Sequence, residues 1–295
     1  RRNKTLNYNV LQDSLTQKSE LHVLEVPHGG EFLVELEDGS KIWVNAESNL
    51  EYLVPFAGKE RRVKLSGEAY FQVAKADIPF IVEFNAYEIK VLGTEFNVKA
   101  YKDNETTVAT LVNGQISLIV HGDSCTLYPG EQAQISNEKV TVTTVNTANY
   151  IAWREGIVAF EEERLENIMN ELRRWYDIDV FYENETLKNI RFTGKIDRYE
   201  DVRVLLDKIG RLEVVRFEIN GNCVLVKRCN CFCLFTNYRI ILMNVLCKND
   251  FLKKVRRLYF YRCMIYCLCF LLLNTRDIWA NVENQSLTLQ LKEAS

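Results

Sequence analysis

From Val26 onward the chain alternates apolar and polar side chains with a period of two. Phe32, Val34 and Leu36 alternate with polar partners, Asp38-Gly39 interrupts, and Ile42 and Val44 alternate beyond it. Such alternation marks half-buried strands. An Asp-Gly pair between two alternating runs predicts a hairpin, because its turn positions need positive φ. The pattern recurs in Val63, Leu65, Ala69, Phe71 and Val73, then in Phe80, Val82 and Phe84. It continues through Tyr87, Ile89 and Val91, and through Phe96 and Val98. Asn113-Gly114 turns into Ile116, Leu118 and Val120; Pro129-Gly130 precedes Ala133 and Ile135; Val140 and Val142 close the series. Short strands broken by turn residues about every ten positions predict an all-β domain over 26–148, antiparallel, in two packed twisted sheets. Residues 1–25 are polar without sustained periodicity and read as a linker.

At Trp153 the period changes. Leu165, Ile168, Met169, Leu172 and Tyr176 recur at helical spacing and define one apolar stripe. Glu161, Glu162 and Glu163 fall just before or in the first turn, where the helix dipole favours negative charge. Asp179 to Tyr182 and Arg191 to Lys195 read as strands. Val202, Leu205, Leu206 and Ile209 form a second stripe, with Gly210 as its C-terminal cap. Val214–Ile219 and Cys223–Val226 form a hairpin around Asn220-Gly221. The order predicts a small α+β domain of βαβ-βαββ type over 155–228.

The run Cys263–Leu273 is apolar for eleven residues, short of the roughly 20 a bilayer-spanning helix needs. Lys253, Lys254, Arg256 and Arg257 precede it, and Trp279-Ala280-Asn281 follows. A basic cluster, a short apolar run and a small residue at a cut have the form of a secretory signal peptide, with Met243 available as its start. We therefore read 229–242 as an unstructured junction and 243–280 as a signal-peptide-like segment. The expectation is that the tail opens a second coding region joined to the first; a C-terminal anchor is the alternative. The chain starts at Arg1 rather than Met, which is expected of a piece of something longer.

Charge is uneven. From Arg239 the chain holds 9 Lys/Arg against 4 Asp/Glu, leaving 28 basic and 36 acidic residues before it, a balance of −8. A body of that charge without a basic cluster does not fit nucleic acid, which demands phosphate neutralisation. Only Cys125 and Cys223 stand in the first 228 residues, so the body is no disulfide scaffold. His22, His28 and His121 lack partners at metal-ligand spacing, and no phosphate loop or nucleophile elbow appears. No catalytic residue, metal or cofactor is expected. Glu68, Glu83, Glu88 and Glu95 read as solvated strand faces rather than a glycosidase pair. Trp43, Tyr70 and Tyr101 read as packing rather than a sugar platform.

The stretches "VPHGGEFLVELEDGSKIWVNAESNLEYLVPF", "RRVKLSGEAYFQVAKADIPFIVEFNAYEIKVLGTEFNVKAY", "VNGQISLI" and "LYPGEQAQIS" closely resemble the periplasmic FecR domain. The blocks "GEAYFQV" from Gly67 and "VLGTEFNV" from Val91 carry the resemblance most specifically. "AWREGIVAFEEERLENIMNELRRWYDIDVFY" resembles the C-terminal region of the same proteins, which is similar to the secretin/TonB short N-terminal domain. "NVENQSLTLQLKEAS", residues 281–295, resembles the start of the N-terminal domain of a SusC-like TonB-dependent receptor. The resemblance implies the periplasmic sensor part of a transmembrane anti-sigma factor of Gram-negative bacteria. Such a protein holds an extracytoplasmic-function sigma factor through a cytoplasmic domain and a transmembrane helix, both missing from this sequence. Its partner is the periplasmic N-terminal domain of an outer-membrane TonB-dependent receptor. On that reading the domain at 155–228 carries the receptor contact, by strand addition at a sheet edge. Arg173, Arg174, Tyr182 and Arg191 are the candidate contact residues, since Arg and Tyr are enriched in hot spots. The competing classes are a periplasmic carbohydrate-binding β module and, after it, an enzyme.

Overall fold

A computed structural model describes residues 4–7, 19–212 and 214–229. The readings of 230–295, including the junction, the signal-peptide-like run and the receptor-like start, lie outside the described residues. Fourteen strands come first: β1 (Lys4–Asn7), β2 (Glu20–Glu25), β3 (Phe32–Glu35), β4 (Lys41–Val44), β5 (Asn49–Val54), β6 (Arg61–Gln72) and β7 (Phe80–Phe84), then β8 (Tyr87–Val91), β9 (Glu95–Ala100), β10 (Thr107–Asn113), β11 (Ile116–Val120), β12 (Asp123–Leu127), β13 (Glu131–Ser136) and β14 (Lys139–Thr144).

They form two leaves that share β6. Its first half pairs with β5 and β7 in a leaf ordered β2-β5-β6-β7-β8-β11-β12. Its second half, from Gly67, pairs with β4 and β9 in a leaf ordered β1-β3-β4-β6-β9-β10-β13-β14. The alternation read from sequence supplies the core between them: Val34, Ile42, Val44, Val63, Leu65, Phe71, Phe80, Val82, Phe96 and Val98 are all buried. Phe71 and Phe96 stack with ring centroids 4.9 Å apart.

Most pairs are antiparallel as expected, but β6 and β7 run parallel, Arg61 beside Phe80. A parallel pair needs a crossover of about a dozen residues, and the second half of β6 provides it by passing through the other leaf. The stretch 1–25, read as linker, contributes β1 beside β3 and β2 beside β5. In β2 only Leu24 is buried. An edge strand with one inward apolar residue carries too little alternation to be read from sequence. The hairpin at Asp38-Gly39 forms, and Asp38 also pairs at 2.6 Å with the buried Arg61.

Helix α1 (Thr147–Ile151) and a 3-10 turn (Ala152–Glu155) lead into the small domain. There β15 (Ile157–Arg164), α2 (Leu165–Tyr176), β16 (Asp179–Tyr182), β17 (Arg191–Asp197), α3 (Val202–Gly210), β18 (Val215–Asn220) and β19 (Cys223–Arg228) follow the predicted order. A large all-β domain followed by a small α+β domain is therefore the observed architecture. The stripes Leu165, Ile168, Met169, Leu172 and Leu205, Leu206, Ile209 are buried together against Val215, Val224 and Val226. Glu161–Glu163 end β15 around a bulge, just before the helix. Gly210 is the last residue of α3 and Arg211 its cap, a shift of one position from the expected stop. Among the described residues no helix is long and apolar enough to cross a membrane.

Candidate functional site

Five polar or aromatic side chains line up across the outer face of the second leaf. Trp43, Tyr70 and Asn97 are neighbours in register on β4, β6 and β9, followed by Thr110 and Gln132. An outward row of this kind is ordinarily solvated, yet Tyr70, Asn97, Thr110 and Gln132 are buried. The segment between the domains covers them. The Trp153 indole donates to Asn97 Oδ1 at 3.1 Å, and Arg154 lies 3.6 Å over the Tyr70 ring and 5.3 Å from Trp43. Arg154 thus occupies the face a sugar would need, and the adjoining cleft, lined in part by Trp43, Trp153 and Arg154, has a volume of 30 Å³. That is room for about one water molecule.

Next to this row sits Glu68, 5 % exposed. It is not the solvated strand residue its sequence context implies. Asn45 and Asn97 each donate a side-chain N–H to its carboxylate, at 2.9 and 3.0 Å. Burial pushes its pKa above the ordinary 4.5, against the pull of Lys99 and with the repulsion of Glu171. The local backbone makes the position possible. Gly67 holds φ at +114°, and a Cβ there would meet Ser48 Oγ at 2.3 Å. Ser48 Oγ in turn accepts the Glu68 N–H at 2.9 Å. The "GEAYFQV" block therefore encodes a close approach of two strands and a buried acid.

The small domain meets this face with charge. Arg198, 5 % exposed, donates to Asn45 Oδ1 at 3.1 Å, Glu31 at 3.2 Å and the Gly30 carbonyl at 3.2 Å. Lys99 pairs with Glu171 on α2. Burial opposes the charge of Glu171, but Lys99 and Arg174 outweigh it and hold the carboxyl below 4.5. Tyr101 donates to the Ala46 carbonyl at 2.8 Å, and its phenol is raised well above 10 by burial and by Glu68 and Glu171. The "VPHGG" stretch docks against the end of α2. The Gly29 N–H donates to the Arg174 carbonyl at 2.8 Å, and at φ +66° a Cβ would stand 3.0 Å from the Trp175 oxygen.

The four candidate contact residues separate in space. Arg174 is 1 % exposed and committed to the joint: it donates to Asp103 at 2.6 Å and lies 3.8 Å over the Tyr101 ring. It is closed to an outside partner in this arrangement. Arg173 pairs with Asp103 at 2.7 Å on the rim of the same joint. Tyr182 and Arg191 lie apart from it. Tyr182 is partly buried among the small-domain core with Lys188 5.3 Å from its ring, and burial raises its phenol. Arg191 is exposed and donates to the Glu162 carbonyl. The residues sequence reasoning missed are Asn45, Asn97, Trp153, Glu171 and Arg198. One signal was available: Asn97, a short polar residue between two core positions, sits where an ordinary outward residue would be charged or large.

Glu83 and Glu88 stand opposite each other on β7 and β8 and share Arg62, and Glu95 accepts from the Tyr70 hydroxyl at 2.8 Å, so each of these acids is held by a neighbouring side chain. Among the described residues no cluster of His, Cys, Asp or Glu could hold a metal ion.

The FecR protein family model matches residues 22–117, and the model for the FecR C-terminal region matches residues 157–226. Together they cover more than half of the 295 residues. No curated protein matches the chain. Two crystal structures of a protein from Parabacteroides distasonis ATCC 8503, provisionally assigned as an anti-sigma factor, share the fold with a TM-score of 0.67 and 24% identity. The alignments cover 71% and 70% of this chain and 99% of those chains. Glu68 and Asn97 fall in the first matched region and Arg174 and Arg198 in the second, with Trp153 between them. The chain belongs to the FecR family, and the buried polar joint is where that family's two regions meet.

Proposed function

We propose that residues 26–228 are the sensing part of a transmembrane anti-sigma factor. On this reading they lie in the periplasm, receive a signal from the N-terminal domain of an outer-membrane TonB-dependent receptor, and pass it to an extracytoplasmic-function sigma factor held across the inner membrane. Membership of the FecR family and the fold shared with a protein assigned as an anti-sigma factor support it. The observation that carries it is the joint itself: two separate cores held together by buried hydrogen bonds and ion pairs. Such a construction suits a relay, since an event on the small domain is felt by the sandwich through defined contacts. The activity is regulatory rather than catalytic.

The small domain offers the docking edges. Strands β16 and β18 flank β19 and pair on one side only among the described residues. A free edge accepts a strand from another protein by main-chain hydrogen bonds. Phe181, 56 % exposed on β16, supplies an apolar side chain beside that edge. Titration of the full chain with a receptor's periplasmic N-terminal domain, followed by calorimetry, tests the reading. Saturable one-to-one binding is expected. Glycan binding without receptor-domain binding overturns it.

A further inference from the structure

We propose that the joint is a two-state latch, in which the small domain and the connecting segment leave the second leaf together rather than contact by contact. The inference does not rest on the identity of any partner. Three features of the molecule lead to it.

Parting leaves both cores intact. The sandwich core contains no residue of the small domain, and the small-domain core takes only Ala46 from the sandwich. What crosses the boundary is otherwise mostly polar, and polar interdomain contacts favour relative motion.

The polar contacts are chained. Trp153 holds Asn97, Asn97 holds Glu68, Glu68 holds Asn45, and Asn45 holds Arg198. Each asparagine gives its amide nitrogen to Glu68 and accepts at its amide oxygen from a group beyond the sandwich, Asn45 Oδ1 accepting also from the Ala46 N–H at 2.9 Å. Removing a link forfeits a buried hydrogen bond, and at Asn97 it leaves the amide oxygen unpaired, which is costly. Full separation lets water satisfy all of them. Half-open arrangements are therefore disfavoured against both ends, and the joint opens as a unit.

The charges across the joint are paired, Lys99 of the sandwich with Glu171 of α2 among them. Arg164, Arg173, Arg174 and Arg198 of the small domain all pair with sandwich acids. Arg174 and Arg198 are buried, so solvent screens them little while the joint is closed, whereas the separated surfaces rehydrate.

Hydrogen exchange read by mass spectrometry on the full chain tests this, with Arg198→Ala and Trp153→Phe as variants. Arg198→Ala is expected to speed exchange by about tenfold in three places at once: the 45–48 loop, the 101–104 loop and the 147–156 segment, with one common factor. Strands β11 and β18–β19 keep their protection. Trp153→Phe, which keeps an aromatic ring but removes the indole donor and part of the ring volume, is expected to give a smaller factor, again common to the three places. Faster exchange confined to the neighbourhood of each substitution overturns the latch. If Arg198→Ala also strips protection from β18–β19, the two domains unfold as one in that variant and Trp153→Phe decides: a common factor supports the latch, and a local or absent effect overturns it.

Discussion

Gly67 carries the tightest constraint in the sandwich. Its φ of +114° is closed to side chains, and the atoms in the way belong to Ser48, including its Cα at 2.7 Å. Because backbone stands there, the neighbour cannot swing aside. Gly67→Ala is expected to lower stability by about 1–3 kcal/mol, seen as a fall in the urea midpoint at unchanged slope. Glu68 makes a different prediction. Its folded pKa lies above its unfolded value, so the folded state binds the proton more tightly and the group destabilises the fold as pH rises above 4.5. Glu68→Gln cannot ionise and loses that dependence. The stability of the parent relative to the variant is therefore expected to decline as pH is raised from about 5 to about 7 in denaturant titrations. A constant difference means that Glu68 is not perturbed.

At the scale of elements, helix α2 binds the small domain together. Its buried face, Leu165, Ile168, Met169 and Leu172, packs on the sheet residues, while Glu171 and Arg174 on another side reach the sandwich. One helix thus serves a core and the joint at once. Leu172 is fully buried, and Leu172→Ala is expected to cost about 2–5 kcal/mol through lost contacts and a residual cavity. The loss should appear as reduced protection in α2, β18 and β19, with the sandwich strands unaffected. Strand β6 has the corresponding place in the sandwich. Its twelve residues are divided between the two leaves, and Gly67 separates the half that pairs with β7 from the half that presents Glu68 and Tyr70 outward.

For the whole molecule, the placement of the four candidate contacts divides their expected effects. Tyr182 and Arg191 lie off the joint, so their substitution can reach a partner without disturbing the interdomain network. The double variant Tyr182→Ala, Arg191→Glu is expected to weaken binding of the receptor's periplasmic domain by about tenfold. Calorimetry measures it, and an unaltered dissociation constant removes both residues from the contact. Charge reversal at Arg174 is expected to act differently, by leaving Asp103 and Glu47 without their buried partner. Its effect on binding reports the joint rather than the contact.

The alternation from Val26 to Val142, the stripes of α2 and α3 and the turn pairs between them were legible because each is local: a period of 2.0 or 3.6 states which face is apolar. Hence the all-β class of the first domain, the α+β class of the second and the order of elements in the second followed from the sequence alone, as did the family resemblance. Strand β2 and the parallel pairing of β6 with β7 were not legible, since neither leaves a periodic trace. The joint was out of reach for a stronger reason. Asn45 and Arg198 stand 153 positions apart, and Trp153 lies 56 beyond Asn97. Whether Glu68 is a solvated acid or a buried one depends on what covers the outer face of its leaf. That cover comes from another part of the chain, so only the packed molecule decides it.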